Sequence, residues 1–287
     1  VRDKLQFDYA TVGHVTVDEL ADGSRRPGGT AFYSALQAAR LGLRTLVVTR
    51  GQPAEIEALL APYGELSLHV EPAPSTTTLH TTGSGEARRQ LMLAWAGRLA
   101  APLEDLDAAI VHLAPVAAEL PPAAELLAGA VRARFIGLTA QGLLRRWDGQ
   151  GGAVTLAPPP PEIAAIASRC DALVLAEHEQ ASAEPLIAQA AAAGAPVLVT
   201  AGPQPTTIVL PDGGRLRQPV PPLPEARDDL GAGDVFAAAL FVELARGVTP
   251  RPATDFANAA AAVRMSGRGA GAIGDRLAVE ERAASAA

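Results

Sequence analysis

The sequence predicts an α/β fold, a doubly wound and mostly parallel sheet flanked by helices, with a small β lid. Three observations carry that expectation. Short continuous apolar runs recur at 108–114, 133–139, 171–176 and 195–202, the pattern of strands buried on both faces. Helical stretches such as PAAELLAGAV and AEPLIAQAAAAG separate them, and strand–helix alternation is how parallel sheets are wound. Two segments, 17–29 and 75–97, break the alternation with hairpin-like patterns.

In chain order, the first strand is expected over 9–17, YATVGHVTV, which alternates in part. VDELADGSRRPGG follows, and its Asp22-Gly23 pair is a hairpin turn signal. RPGGTAFYSALQAARLG (26–42) runs from two glycines into a helix that stops at Gly42. LRTLVVT (43–49) is the next strand. STTTLHTTGSGEARRQLMLAWAG alternates around Gly83-Ser84-Gly85 as a second hairpin. The two hairpins, about 15–28 and 75–96, form the expected lid, inserted in one domain spanning 1–287. APPPPE (157–162) reads as a stiff loop. Near the end, VFAAALFVELARG is a helix: Phe236, Leu240 and Leu244 lie four apart, Gly247 closes it and Pro250 follows.

With 287 residues, 48% of them hydrophobic, the chain has apolar surface enough for a large core. No apolar run reaches the roughly 18–20 residues of a membrane-spanning helix, and VRDKLQFDYA is too polar for a signal peptide. Cys170 is the single cysteine, which rules out an internal disulfide and a Cys-x-x-Cys metal site. A cytoplasmic location is expected. The net charge of −7 argues against general affinity for nucleic acid. Of 24 basic residues only Lys4 is a lysine, so neither a Gly-Lys-Ser/Thr phosphate loop nor the strand lysine of a protein kinase can be built. A phosphate site must use arginine, a metal ion or the amides of a helix N-terminus.

DDLGAGDVFAAAL (228–240) offers such amides. Gly231 and Gly233 leave backbone N–H groups unhindered at a helix start, where the dipole attracts an anion. Read alone, the stretch is either a tight turn with Asp234 favouring the first helical turn, or an anion site with Asp234 taking a proton from a bound hydroxyl. A second glycine pair, Gly28-Gly29, stands at the other end of the chain, and no GxGxxG follows the first strand. Together they favour the second reading.

Pro-Gly-Gly … Ala-Arg-Leu-Gly near the start and Gly-Ala-Gly-Asp near the end resemble the ribokinase-like (PfkB) carbohydrate kinase family, over about 8–274. The resemblance implies that Gly231, Ala232 and Gly233 form an anion hole and that Asp234 is the catalytic base. It implies that Asp18 binds substrate hydroxyls, with Gly28 and Gly29 closing around them. Tyr33 stands where ribokinase-type members carry Asn; it is a substrate contact or a helix residue packed under the lid. Arg88 is the lid cation over substrate or phosphates, with Arg89 as the competing choice. Gln141 points toward the cleft or is a turn residue. Gly202 and Asn258 fall near the nucleotide pocket, Asn258 beside the adenine or as an ordinary helix residue.

Glu179 would organise Mg²⁺ through water, or is a solvated acid at a helix start. Ala176 replaces the family's asparagine, and Glu177 is a candidate to compensate. Asp228 matches an acid associated with a monovalent cation, but Leu230 replaces the usual threonine, which leaves K⁺ dependence open. The glycine-rich 266–274 segment is expected near the nucleotide or cation site.

The implied activity is ATP-dependent, Mg²⁺-assisted phosphotransfer to a hydroxyl of a small polyol: a sugar, an inositol or a nucleoside. The implied partner is that small molecule, with no nucleic acid or membrane, for a monomer or a homodimer. Leu91, Leu93 and Trp95 serve a lid dimer face or the core. The alternative is a non-catalytic nucleotide- or sugar-binding protein on the same fold, motivated by Leu230, Ala176 and Tyr33. A Rossmann oxidoreductase is disfavoured, because TVGHVTVDEL lacks the glycine spacing of a dinucleotide turn.

Overall fold

The computed structural model describes residues 6–100, 106–126, 133–223 and 226–285. The chain opens with β1 (Phe7–Val12), turns at Gly13, and continues as β2 (Thr16–Leu20), which forms a hairpin with β3 (Arg25–Gly28). The single strand expected over 9–17 is therefore two. Gly13 makes the break: a Cβ there would lie 2.1 Å from the Ala114 carbonyl oxygen, so only glycine lets the chain leave the sheet at this point. Asp18 consequently sits on the lid.

Next come α1 (Thr30–Arg40), β4 (Thr45–Gly51), α2 (Pro53–Leu60) and β5 (Leu66–Pro72). The second hairpin is β6 (Thr78–Thr82) and β7 (Arg89–Ala94). β8 (Ala108–Leu113) leads to α3 (Ala123–Leu126); the rest of the helix expected in PAAELLAGAV, from 127 on, lies outside the described residues. The middle of the chain holds β9 (Phe135–Thr139), α4 (Gln141–Leu144) and three two-residue strands, β10 (Arg145–Arg146), β11 (Gly152–Ala153) and β12 (Thr155–Leu156). α5 (Pro161–Ala164) starts inside the proline run read as a loop, since proline suits the first helical position. Then follow β13 (Ala172–Ala176), α6 (Gln180–Ala192) and β14 (Val197–Ala201). The antiparallel ribbon β15 (Gln204–Val209) and β16 (Arg215–Gln218) was not anticipated; α7 (Ala232–Ala245), α8 (Pro250–Met265) and α9 (Arg276–Ala284) close the chain.

The main sheet has the order β16-β15-β14-β13-β9-β8-β1-β4-β5, with every pairing parallel except the two made by the reversed strand β15. The lid is a five-stranded sheet, β11-β7-β6-β2-β3: the two hairpins meet through the parallel pairing of β2 with β6, and β11, a strand with no signal of its own, adds an edge beside β7. On one face α1, α7 and α8 bury a core around Phe32, Leu36, Phe236 and Phe241; Leu173, Leu186 and Ile166 belong to the core of the other. α7 is buried continuously from Val235 to Glu243, as befits a helix apolar on all sides. Its position along its axis is set by Phe241, which occupies a notch at Gly137, where a Cβ would lie 2.3 Å from the ring. That notch delivers the N-terminus of α7, with Asp234, to the lid side of the sheet. Among the described residues, no helix is long and apolar enough to cross a membrane.

Candidate active site

α7 begins at Ala232, two residues before Asp234, with Gly231 as its N-cap at φ 80°. Gly231 must be glycine twice over: its backbone is left-handed, and a Cβ would lie 2.4 Å from the Tyr33 ring. Gly233 differs. Its φ is not left-handed and a Cβ there would meet nothing within 4 Å, so nothing in the protein demands glycine at a position where alanine favours the helix. A ligand approaching the backbone closely would demand it. The Gly231, Gly233 and Asp234 amides donate to no acceptor among the described residues, whereas the Ala232 N–H is turned to the Asp229 carbonyl at 3.2 Å. The open donors of the turn are thus those of Gly231, Gly233 and Asp234, and the expectation for Ala232 is corrected to that extent.

Asp234 stands at the third helical position, its backbone carbonyl accepting from the Ser34 hydroxyl at 3.0 Å. Burial raises its carboxyl to about 6, against the pull of the Thr30 hydroxyl, Arg145 and Arg88. Asp18, on β2, is 3% exposed and is likewise raised to about 6 by burial, opposed by Thr16, Arg145 and Arg88. The Thr16 hydroxyl donates to Asp18 Oδ1 at 2.8 Å. Gly28 lies against the same carboxyl, since a Cβ there would be 2.1 Å from Oδ2; Gly29, at φ 87°, caps α1 and presses on the His14 carbonyl. The lid acid and the helix acid face one cleft, each within reach of the same cations.

The central cation, Arg145, is absent from the sequence-derived candidates. It is 8% exposed, donates to the Val116 carbonyl at 3.0 Å, and has Glu179, Asp234 and Asp18 as its acidic neighbours. Burial weakens its hold on the proton and the three acids oppose that effect; an arginine stays charged through such shifts. In the sequence it is half of an Arg-Arg pair that reads as surface.

Glu179 is 2% exposed and Oε2 accepts from its own turn, from the Ala176 N–H at 2.9 Å. Burial raises its carboxyl, with Ala176, His178, Arg145 and Gln141 opposing, which sets Gln141, the first residue of α4, beside this acid. The solvated-acid reading of Glu179 is overturned. Among the described residues no group of three or more His, Cys, Asp or Glu is placed to hold a metal ion. The buried carboxylate of Glu179 is of the oxygen-donor type that Mg²⁺ takes when most of its ligands are phosphate oxygens and water.

Arg88 Nη2 donates to Asp229 Oδ1 at 2.5 Å and the Gly85 N–H to Oδ2 at 2.8 Å. The lid is thereby latched to the loop before the turn. A cavity of about 350 Å³ lies beside that latch, with Arg26, Arg88, Arg227 and Arg268 in its walls.

Three expectations are corrected by packing. Tyr33 is 2% exposed and its ring packs against Gly231, so it is the packed helix residue and not an open substrate contact. Asn258 is 3% exposed and spent: Oδ1 accepts from Thr206 at 2.9 Å and Nδ2 donates to the Pro219 carbonyl at 3.1 Å. Asp228 takes the Leu230 and Gly269 N–H groups and the buried Arg264, so its carboxylate is already neutralised where a monovalent ion was expected. The 266–274 segment is held by Gly269 on Asp228 and by Arg40 on the carbonyls of Ala270, Gly271 and Ile273. Gly202 lies exposed in the turn between β14 and β15.

Residues 152–275 match the sequence model described as pfkB family carbohydrate kinase. The matched span contains Glu179, Asp228 and the 231–234 turn. That segment is similar to the pfkB carbohydrate kinases. No curated protein matches the sequence. Among solved structures, the chain is similar to a pyrophosphate-dependent kinase in the ribokinase family, with 21% identity, a TM-score of 0.76, and 96% of this chain and 99% of that one covered. It is similar to Arabidopsis thaliana ribokinase complexed with ribose and ATP, at 19% identity and TM-score 0.70, covering 96% and 98%. It is also similar to the Methanocaldococcus jannaschii nucleoside kinase, at 16% and 0.72, covering 97% and 98%. At these identities the likeness establishes the fold.

Proposed function

We propose that the protein transfers a phosphoryl group from ATP to a hydroxyl of a small polyol. The observation that carries the reading is the glycine turn: amides without acceptors, a glycine that nothing in the protein requires, and a raised carboxyl one residue on. In this reading Asp234 accepts the proton of the attacking hydroxyl. That oxygen bonds to the terminal phosphorus of the donor while the bond to the bridging oxygen breaks and ADP leaves. The Gly231 and Gly233 amides stabilise the charge on the transferring group, and Arg145 and Arg88 add positive charge from the floor and the lid. Asp18 holds a second hydroxyl of the acceptor, with Thr16 fixing its orientation. Bound Mg²⁺ would neutralise the phosphate oxygens, with Glu179 holding its waters. Closure of the lid on Asp229 would exclude water as a competing acceptor.

The structural neighbours include pyrophosphate-dependent enzymes, and Asn258 is not free to read an adenine. The donor is therefore tested both ways. Acceptor-dependent product formation is measured with ATP and with pyrophosphate across sugars, inositols and nucleosides, with Asp234→Asn in parallel. Turnover that falls by about 10²–10⁴ in Asp234→Asn, the usual contribution of a general base, supports the reading. Turnover unchanged in Asp234→Asn sinks it. Ligand binding without transfer on any acceptor would favour the non-catalytic alternative.

A further inference from the structure

Arg264, in α8, is fully buried, and nothing in the proposed chemistry uses it. Its guanidinium reaches three oxygens of one short loop: Nη2 donates to the Leu230 carbonyl at 2.6 Å and to Asp228 Oδ2 at 3.1 Å, and Nη1 to the Asp228 carbonyl at 3.2 Å. It also lies over the Tyr33 ring, 5.6 Å from its centroid, and that ring is the support on which Gly231 rests. One buried cation therefore grips the carbonyl immediately before the turn and backs the ring immediately beneath it. Three oxygens converging on one point are also the donor set of a hard cation.

We infer that Arg264 is the resident cation of the glycine turn: its guanidinium fixes the 228–230 loop, so that the Gly231 and Gly233 amides are preorganised without an added monovalent ion. The inference rests on the phosphotransfer reading above. Stability alone does not account for the arrangement. A buried charge is matched or bettered by apolar residues of similar volume, and the Nε of Arg264 is buried with no partner, a cost without a structural return. A fixed positive charge under amides aimed at a developing anion is instead what transition-state stabilisation asks for. Arg264 is a positioning residue, since it acts through the loop.

The groups facing Asp228 agree. Leu230 N–H, Gly269 N–H and Arg264 occupy its oxygens, and Arg26 approaches from the lid at 3.9 Å. The carboxylate is already matched by guanidinium and amide donors, so a K⁺ ion would have to displace Arg264 to bind there.

The test uses the full chain in K⁺, Na⁺ and choline salts at equal ionic strength, reading both turnover and thermal midpoint. Wild-type turnover and midpoint are expected to be the same in all three. Arg264→Ala should lose about 100-fold in kcat, the usual cost of misplacing or losing an oxyanion donor, with acceptor KM little changed. Millimolar guanidinium should restore part of that loss and raise the variant's midpoint; urea, of the same shape but uncharged, should do neither. Severalfold activation of the wild type by K⁺ over choline, or full kcat in Arg264→Ala, overturns the inference while leaving the phosphotransfer reading intact. If the wild type transfers no phosphoryl group, that reading fails, and the midpoints alone decide on the resident cation: a rise of Arg264→Ala with guanidinium and not urea keeps it, and no such rise removes it. If Arg264→Ala does not fold, the wild-type salt series decides.

Discussion

Asp18 and Asp234 share a cleft in which burial raises both carboxyls to about 6. An unfolded aspartate titrates about two units lower, near 3.9. Between these values the folded chain binds more protons than the unfolded one, so stability falls as pH rises through about 4 to 6, and the deficit is complete above that window. Asp18→Asn removes the ionisation. Its thermal midpoint should exceed that of the wild type at pH 8 by about 2–4 °C for each kcal/mol relieved and converge toward it near pH 4, while turnover is lost. Calorimetry at the two pH values checks the sign; a variant less stable than wild type at pH 8 would show the carboxylate to be well solvated. Wild-type turnover should fall on the acid side of about pH 6, where Asp234 gains its proton. Asp234 was legible in the sequence because it ends a glycine turn, and Asp18 only through the resemblance to a family. Arg145 was not, because Asp18, Asp234 and Glu179 reach it from separate elements and only folding assembles them.

At the scale of the element, α7 carries two glycines with opposite requirements. Gly231 is fixed by the protein, by its left-handed backbone and the Tyr33 ring. Gly233 faces open space, and alanine there should gain up to about 1 kcal/mol of helix stability. Gly233→Ala is accordingly expected to keep or raise the thermal midpoint while lowering turnover by about 10²-fold, the scale of a small misplacement of reacting groups. Gly231→Ala should lower the midpoint itself. Unfolding scans paired with turnover separate the two; a Gly233→Ala enzyme of normal activity would mean that no ligand passes close to that backbone. The helix was readable from Phe236, Leu240 and Leu244, but its start was not. Asp234 reads equally well as a first-turn acid or as the residue before the helix, and the N-cap at Gly231 distinguishes them. β1 and β2 likewise merged in the sequence because Gly13 gives no turn signal by itself; its partner, the Ala114 carbonyl, is remote in the chain.

For the whole molecule, Arg88 and Gly85 of the lid latch onto Asp229, in the loop before the turn. A partly exposed ion pair of this kind contributes about 1 kcal/mol, enough to bias a closed lid without locking it. Arg88→Ala should raise acceptor KM by about fivefold, the equivalent of that energy, and raise donor hydrolysis relative to transfer. Phosphate release measured with and without acceptor checks this. An unchanged hydrolysis ratio would mean that the latch plays no part in excluding water.

The α/β class, the two hairpins and the glycine turn ending in Asp234 could be read from the chain, since each is written in local periodicity or in adjacent residues. Tertiary structure alone decided which polar groups remain available. Asn258 is consumed by Thr206 and Pro219, Asp228 by Arg264 and Gly269, and Tyr33 by the underside of the turn. Availability depends on what packs against a side chain from distant segments, and local sequence patterns do not record it.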